Sequence, residues 1–131
     1  MILLDTHALV WLVTDPRRLS RQAASAIKRA YRQGGVGIAS ITLWELAVLF
    51  ARGRIRGHGT VEASVRMVVD ESRVVVFELD TAIAALAAQL PEPIAKDPVD
   101  RMIVATAIIR AIPLVSKDER ISAIGLCRTI W

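Results

Sequence analysis

The sequence lacks several features that would assign it to common classes of protein. Its 131 residues include a single cysteine, Cys127, which excludes an internal disulfide and a zinc site built on cysteines. The longest apolar stretch, Met102–Ile109, is far shorter than the ~20 residues of a membrane-spanning helix. The apolar N-terminus is cut short by Asp5 and has no basic region before it, so a signal peptide is not expected. We therefore expect a single cytoplasmic domain over residues 1–131 with no membrane span.

Acidic residues are also scarce. The chain has 13 Asp and Glu against 17 Lys and Arg, which gives a net charge of +4 and a pI near 10.0. Hydrophobic residues make up 53% of the chain and charged residues 23%, which is typical of a folded domain and excludes a disordered one. The basic excess favours a nucleic-acid partner only weakly. The positions of the few acids are more informative than their number.

Short apolar segments alternate with helical patterns along the whole chain. The apolar segments predict strands at Met1–Leu4, Val36–Ala39, Val74–Phe77 and Leu114–Ser116, with a candidate fifth at Arg128–Ile130. Helices are predicted over Thr6–Val13, from the Ser20 cap to Gln33, from Ser40 or Thr42 to Phe50 or Ala51, around Val61–Val69, from Asp80 to Leu90 with stops at Pro91 and Pro93, and over Pro98–Ala111. This alternation predicts an α/β fold, a three-layer α/β/α sandwich with a small, mainly parallel sheet.

Five acids fall where such a sheet would gather them. Asp5 directly follows the first strand and Asp118 the fourth. Glu45 lies in the helix after the second strand, and Asp97 and Asp100 open the helix before the fourth. Sites in open parallel sheets form beyond the carboxyl ends of the strands. We therefore expect these carboxylates to converge at one edge of the sheet.

Each acid also has a purely structural interpretation. Asp5 and Asp97 are placed to cap helices. Asp100 suits the first turn of a helix or an ion pair with a basic neighbour, and Asp118 suits an ordinary turn. Glu45 is the only charge between positions 41 and 51, and its structural alternative is a capping box that begins at Thr42.

Carboxylates that share one pocket repel one another, so some take up protons unless a cation lies among them. The sequence offers no cysteine set and no histidine pair at ligand spacing. A site built from oxygen ligands suits Mg²⁺ or Mn²⁺, with one or two ions. Divalent ions held by carboxylates are suited to the hydrolysis of phosphodiesters.

Four segments together resemble the motifs of PIN-domain nucleases and, within that family, the VapC-type toxins of toxin–antitoxin pairs. Their order and spacing match over nearly the whole chain. The segments are Leu3–Leu9, Ser40–Ala47, Asp97–Ala107 and Leu114–Asp118.

The resemblance implies a Mg²⁺- or Mn²⁺-dependent endoribonuclease that hydrolyses RNA phosphodiesters with metal-activated water. It places the catalytic and metal-ligating acids at Asp5, Glu45, Asp100 and Asp118, and supporting roles at Thr6, Asp97 and Ser116. Two departures from related sequences fall at Ala95–Lys96, where a His-Arg pair is common, and at Val99, where many have an aromatic residue.

The resemblance also implies partners: an RNA substrate, a cognate antitoxin protein that binds near the acidic pocket, and a second copy of the chain in a homodimer. Candidate RNA contacts are Arg52, Arg54 and Arg56 in a glycine-rich loop, and Arg101 and Lys117 beside site acids. The loop arginines could instead be simply solvated, and the other two could pair with carboxylates.

The sequence is also compatible with one other function and disfavours a second. The chain could be a PIN-like module that binds RNA or protein and cleaves weakly or not at all. A phosphatase of similar architecture is disfavoured, because a dehalogenase-type enzyme needs a second acid two positions after Asp5, where this sequence has His7.

Overall fold

The computed structural model describes residues 1–92 and 97–131, and at its centre lies a five-stranded sheet. The strands lie in the order β3-β2-β1-β4-β5, and all of the described pairings are parallel. The predicted sheet is therefore confirmed, and its candidate fifth strand is present. The strands are β1 (Ile2–Leu4), β2 (Val36–Ala39), β3 (Val75–Phe77), β4 (Leu114–Val115) and β5 (Thr129–Ile130).

Seven α-helices connect the strands within the described residues, and a 3₁₀ turn at Pro16–Arg18 follows the first helix. All six predicted helices are present, whereas the last helix was not predicted. None of the helices in the described residues is long and apolar enough to cross a membrane. The helices are α1 (Thr6–Thr14), α2 (Arg21–Gln33), α3 (Ile41–Ala51), α4 (Val61–Ser72), α5 (Thr81–Gln89), α6 (Pro98–Arg110) and α7 (Glu119–Ile124).

Two apolar cores cover the two faces of the sheet. Leu4 points into a core shared with α1, α2, α3 and α4, whereas its neighbour Leu3 points into a core shared with α5, α6 and α7. Both side chains are fully buried. Successive residues of a strand face opposite sides of a sheet, so this division follows directly from the pleat. The arrangement confirms the three-layer α/β/α sandwich.

The sheet packs closely enough at one point to require glycine. An added Cβ at Gly37 in β2 would lie 2.4 Å from Cε2 of Phe77 on the neighbouring strand. Glycine therefore allows the Phe77 ring to lie across β2, beside the residues that lead into α3.

The ends of the helices agree with most of the capping predictions. The Ser20 hydroxyl accepts a hydrogen bond from the Ala23 amide at 3.0 Å and begins α2, as predicted. Leu90 ends α5. The predicted stop at Pro93 and the sequence departure at Ala95–Lys96 lie outside the described residues.

Candidate active site

The carboxyl ends of the strands open into a cavity of about 560 Å³. Asp5, Asp100 and Asp118 line it, so three of the predicted acids do converge. Glu45 and Asp97 lie near enough to raise the pKa of Asp100 through charge repulsion. The other lining residues are His7, Trp11, Lys117, Glu119, Arg120 and Ile121.

Asp5 leaves the central strand and immediately caps α1. Its Oδ1 accepts a hydrogen bond from the Ala8 amide at 2.8 Å, and Ser116 also hydrogen-bonds to its carboxylate. Burial nevertheless raises the pKa of Asp5, because desolvation of the charge outweighs both hydrogen bonds. The capping role and the site position are therefore both true of this residue.

Glu45 projects from the second turn of α3 and does not form the capping box. The helix begins at Ile41, and the hydroxyl of Ser40 before it accepts a hydrogen bond from the Leu79 amide at 3.0 Å instead of capping. Thr6 Oγ1 donates a hydrogen bond to Glu45 Oε1 and lies 3.1 Å from the hydroxyl of Thr42. The capping-box alternative is therefore wrong, because the tertiary contact with Thr6 takes the carboxylate that the box would need.

Burial is the largest cause that raises the pKa of Glu45, and repulsion from Asp97 and Asp5 adds to it. The hydrogen bond from Thr6 acts in the opposite direction. Thr6, predicted as a supporting residue, therefore holds the Glu45 carboxylate from the first turn of a different helix.

The two acids at the start of α6 have different surroundings. Asp97 caps the helix, with Oδ1 accepting from the Val99 amide at 3.0 Å, as its structural interpretation predicted. Asp100 lies in the first turn and forms no ion pair within the described residues. Burial, followed by repulsion from Asp97 and Glu45, raises the pKa of Asp100 to about 6.

Asp118 differs from the other acids because an arginine already neutralises it. It caps α7 by accepting from the Arg120 amide at 2.9 Å, and its two oxygens accept from Arg120 Nε at 3.1 Å and Nη2 at 2.8 Å. This bidentate pair lowers the pKa of Asp118. The Asp118 amide donates to Ser116 Oγ at 3.1 Å, so Ser116 contacts both Asp5 and Asp118.

The predicted basic residues have three different placements. Lys117 lines the cavity, with Nζ 5.8 Å from the centre of the Trp11 ring. Arg101 points elsewhere: its Nε donates to the Ala87 carbonyl at 3.0 Å and its Nη2 to the Leu90 carbonyl, at the C-terminal end of α5. The loop arginines lie outside the cavity lining, and all three are exposed: Arg52, Arg54 and Arg56.

Sequence reasoning missed five residues of the cavity wall: His7, Trp11, Glu119, Arg120 and Ile121. Arg120 could have been noticed as a cation two positions after a site acid, but nothing in the sequence indicates that α7 turns its side chain back. The Trp11 ring lies under Arg18 and packs 5.6 Å from the Trp131 ring, a contact that depends on the folded C-terminus.

The donor chemistry fits Mg²⁺ or Mn²⁺, since the converging ligands are carboxylate oxygens. The raised pKa values of Asp5, Glu45 and Asp100 reflect burial and mutual repulsion that a divalent cation would relieve. Within residues 1–92 and 97–131, however, no three Asp, Glu, His or Cys side chains are grouped closely enough to share an ion. Asp118 in particular is turned towards Arg120.

A sequence model of the PIN domain matches residues 2–126. The chain belongs to the PIN domain family. It is 36% identical over 132 aligned positions to ribonuclease VapC22 of Mycobacterium tuberculosis (strain ATCC 25618 / H37Rv), and the alignment covers 99% of this chain and 98% of that protein. The resemblance that the four motifs carry is therefore confirmed.

Solved structures of lower sequence identity share the fold. A structure of VapBC2 from Rickettsia felis, bound to a DNA fragment from its promoter, superposes with a TM-score of 0.73 at 17% identity and covers 98% of this chain and 97% of that chain. VapBC-1 from nontypeable Haemophilus influenzae gives a TM-score of 0.69 at 19% identity, with coverage of 98% and 96%. These likenesses confirm the PIN-like fold.

Proposed function

We propose that this protein is an endoribonuclease that depends on Mg²⁺ or Mn²⁺ and hydrolyses RNA phosphodiesters. The observation that carries the proposal is the gathering of Asp5, Glu45 and Asp100 at the carboxyl ends of the strands, each with a raised pKa. Its similarity to a VapC ribonuclease over nearly the whole chain supports the same activity.

Asp5, Glu45, Asp100 and Asp118 would hold one or two divalent ions per site. Ions held there would supply Lewis-acid chemistry, which lowers the pKa of a water molecule and offsets charge on the departing 3′ oxygen. Hydrolysis of the P–O3′ bond would add the hydroxyl of water to phosphorus and a proton to the 3′ oxygen, and so would leave a 5′-phosphate and a 3′-hydroxyl.

Two residues orient these carboxylates through hydrogen bonds. Thr6 donates its hydroxyl hydrogen to Glu45 and so fixes the direction of that carboxylate. Ser116 contacts Asp5 through its side chain and accepts a hydrogen bond from the Asp118 amide. We assign these two a positioning role, because hydrogen bonds to ligand groups set the geometry that a metal meets. Asp97 supports the site differently: it caps α6, on which Asp100 lies, and adds negative charge beside Asp100.

We further propose that the nuclease acts as the toxin of a type II toxin–antitoxin pair, restrained in the cytoplasm by a cognate antitoxin that binds near the acidic cavity. The structural likeness to VapBC2 and VapBC-1 supports this, since both are VapBC proteins. The test is co-purification of the chain with the product of the adjacent reading frame, and loss of RNA cleavage in that complex.

A homodimer is part of the same proposal. Trp44, beside Glu45 on α3, is 58% exposed, and Leu79 is 49% exposed along the same apolar depression with Ile41 and Met102. Large apolar side chains left in solvent are typical of a protein interface. Light scattering of the purified protein should give twice the 14.3 kDa mass of the chain.

The activity is tested by incubating purified protein with a short single-stranded RNA in EDTA, Mg²⁺ or Mn²⁺ and mapping the ends of the products. We expect cleavage only with a divalent ion, and 5′-phosphate and 3′-hydroxyl ends. RNA that is bound tightly but stays intact in Mn²⁺ would instead identify a PIN-like binding module.

A further inference from the structure

Arg120 lies at the wall of the acidic cavity, on the first turn of α7. Its guanidinium makes the two hydrogen bonds to Asp118 described above, with Nε on one oxygen and Nη2 on the other. The charges of Asp100 and Asp97 act on it as well. Arg120 is therefore a cation held among the site acids by one of them.

Stability accounts for only part of this pair. The Asp118 side chain is 24% exposed but that of Arg120 is 66% exposed, and exposure of the cation to solvent lowers what the pair contributes to the free energy of folding. The cap of α7 does not depend on the Arg120 side chain, because the Arg120 backbone amide makes that hydrogen bond. A function for the guanidinium must be sought in what enters the cavity.

The pair occupies the oxygens through which Asp118 would bind a cation. Oδ1 accepts from both the backbone amide and Nε of Arg120, and Oδ2 accepts from Nη2. A divalent ion and Arg120 therefore compete for one carboxylate. A metal that bound Asp118 would therefore leave the Arg120 guanidinium free at the wall of the cavity.

The guanidinium fork that fits a carboxylate also fits a phosphate group, with two parallel N–H···O bonds. An RNA strand brings one negative charge per phosphodiester to a cavity lined by Asp5, Asp100, Asp118 and Glu119. Arg120 and Lys117 are the Lys and Arg side chains that line this cavity within the described residues. Only an arginine can make such a paired contact, and the Arg120 guanidinium already makes one with Asp118.

We propose that Arg120 binds an RNA phosphate at the cleavage site and, when no substrate is present, rests on Asp118. The proposal rests on the proposed nuclease function and adds to it a residue that contacts substrate. Arg120 thus exchanges the Asp118 carboxylate for an RNA phosphate as metal and RNA enter. By holding Asp118 it weakens metal binding, and by binding the phosphate it strengthens RNA binding.

The two halves of the proposal predict effects of opposite sign for Arg120→Gln. Without RNA, the variant should bind Mn²⁺ about two- to fivefold more tightly, because a weak exposed competitor is gone; electron paramagnetic resonance of free Mn²⁺ measures this. In cleavage assays with Mn²⁺, the KM for a short RNA should rise about 10- to 100-fold, as expected for the loss of a charge-assisted hydrogen bond. Arg120→Lys, which keeps the charge but loses the fork, should fall between Arg120→Gln and wild type in KM.

Arg66→Gln is the matched control, because Arg66 forms an exposed ion pair with Glu62 on α4, outside the cavity lining. It should leave Mn²⁺ affinity and KM unchanged. An unchanged or weaker Mn²⁺ affinity for Arg120→Gln, or an unchanged KM, would overturn the exchange. Wild-type protein that binds Mn²⁺ but cleaves no RNA would refute the nuclease function itself, and the Mn²⁺ comparison would still test the competition for Asp118.

Discussion

Three carboxylates around the acidic cavity cap helices. Asp5, Asp97 and Asp118 cap α1, α6 and α7, and capping does not prevent the role that we propose for them. Each carboxylate has several lone-pair sites, and one amide occupies only part of them. Capping fixes the three side chains at the ends of helices that begin beside the strand termini.

Asp100 should make protein stripped of metal less stable as the pH rises. Its pKa, raised from 3.8 to about 6, means that the folded protein binds more protons than the unfolded chain between these values. The free energy of unfolding should therefore fall as pH increases through that window. Asp100→Asn should remove this dependence and stabilise the protein at pH 7 by about 1 kcal/mol, allowing for solvent screening of a half-exposed group.

Urea unfolding in EDTA at pH 5 and pH 7 measures this effect. Asp118 has a lowered pKa, so its contribution to the free energy of unfolding is lost only as the pH falls through the pKa that it has in the folded protein. It therefore does not affect the comparison between pH 5 and pH 7. The account is contradicted if Asp100→Asn is less stable than wild type at pH 7.

The Thr6 hydroxyl should matter for both folding and cleavage. It is buried and is shared between Glu45 and Thr42, so Thr6→Val leaves polar groups in α3 without their partner. We expect a loss of about 1–3 kcal/mol in the free energy of unfolding, together with slower RNA cleavage.

Thr14→Val is the control for this substitution, because the Thr14 hydroxyl donates only to the Val10 carbonyl at the exposed end of α1. Its effect on stability should stay within about 0.5 kcal/mol. Equal losses in the two variants, measured by urea unfolding, would show that the contact with Glu45 contributes nothing.

At the scale of elements, the main helices and strands could be predicted from sequence because their signals are local. Ser20 caps α2 three residues before the amide that it accepts from, and β1 is a continuous apolar run. The orientation of Glu45 could not be predicted in this way, because it depends on a contact with Thr6, which is distant in the sequence. The short helix α7 was missed although its cap is local, because six residues are too few to show a helical period.

Arg101 should prove to be a structural residue. Its guanidinium donates to the Ala87 and Leu90 carbonyls and so ties α6 to the C-terminal end of α5. Arg101→Gln should lower the free energy of unfolding by about 1.5–3 kcal/mol, because hydrogen bonds from a charged donor are lost. The fraction of the variant that is folded should bind RNA with the affinity of wild type.

Arg54→Gln, in the exposed loop after α3, should show the opposite pattern. Its free energy of unfolding should stay within about 0.5 kcal/mol of wild type. RNA binding should weaken, and the slope of log affinity against log salt concentration should become shallower by about one. Fluorescence anisotropy across a salt series measures this. Weaker RNA binding by a fully folded Arg101→Gln would contradict the division between the two arginines.

At the scale of the whole molecule, the parallel order of the sheet decides the site. Because β1 and β4 are neighbours, Asp5 and Asp118 leave the sheet side by side although they are far apart in sequence. The convergence of these two acids therefore follows from the general rule that sites in parallel sheets form beyond the carboxyl ends of the strands. The chain is basic overall, but acids line this cavity: the pKa values of Asp5 and Asp100 are raised, and that of Asp118 is lowered by Arg120.

The most direct test of the account compares RNA cleavage by wild type, Asp100→Asn and the control Asp70→Asn, in which the altered residue is exposed on α4. The rates are measured in Mn²⁺ after treatment with EDTA, with circular dichroism to show that each variant is folded. The account predicts that wild type and Asp70→Asn regain cleavage when Mn²⁺ is added, and that Asp100→Asn loses about 100-fold or more in rate. Cleavage by folded Asp100→Asn at the wild-type rate, or cleavage by wild type that persists in EDTA, would contradict a metal-dependent site built on these carboxylates.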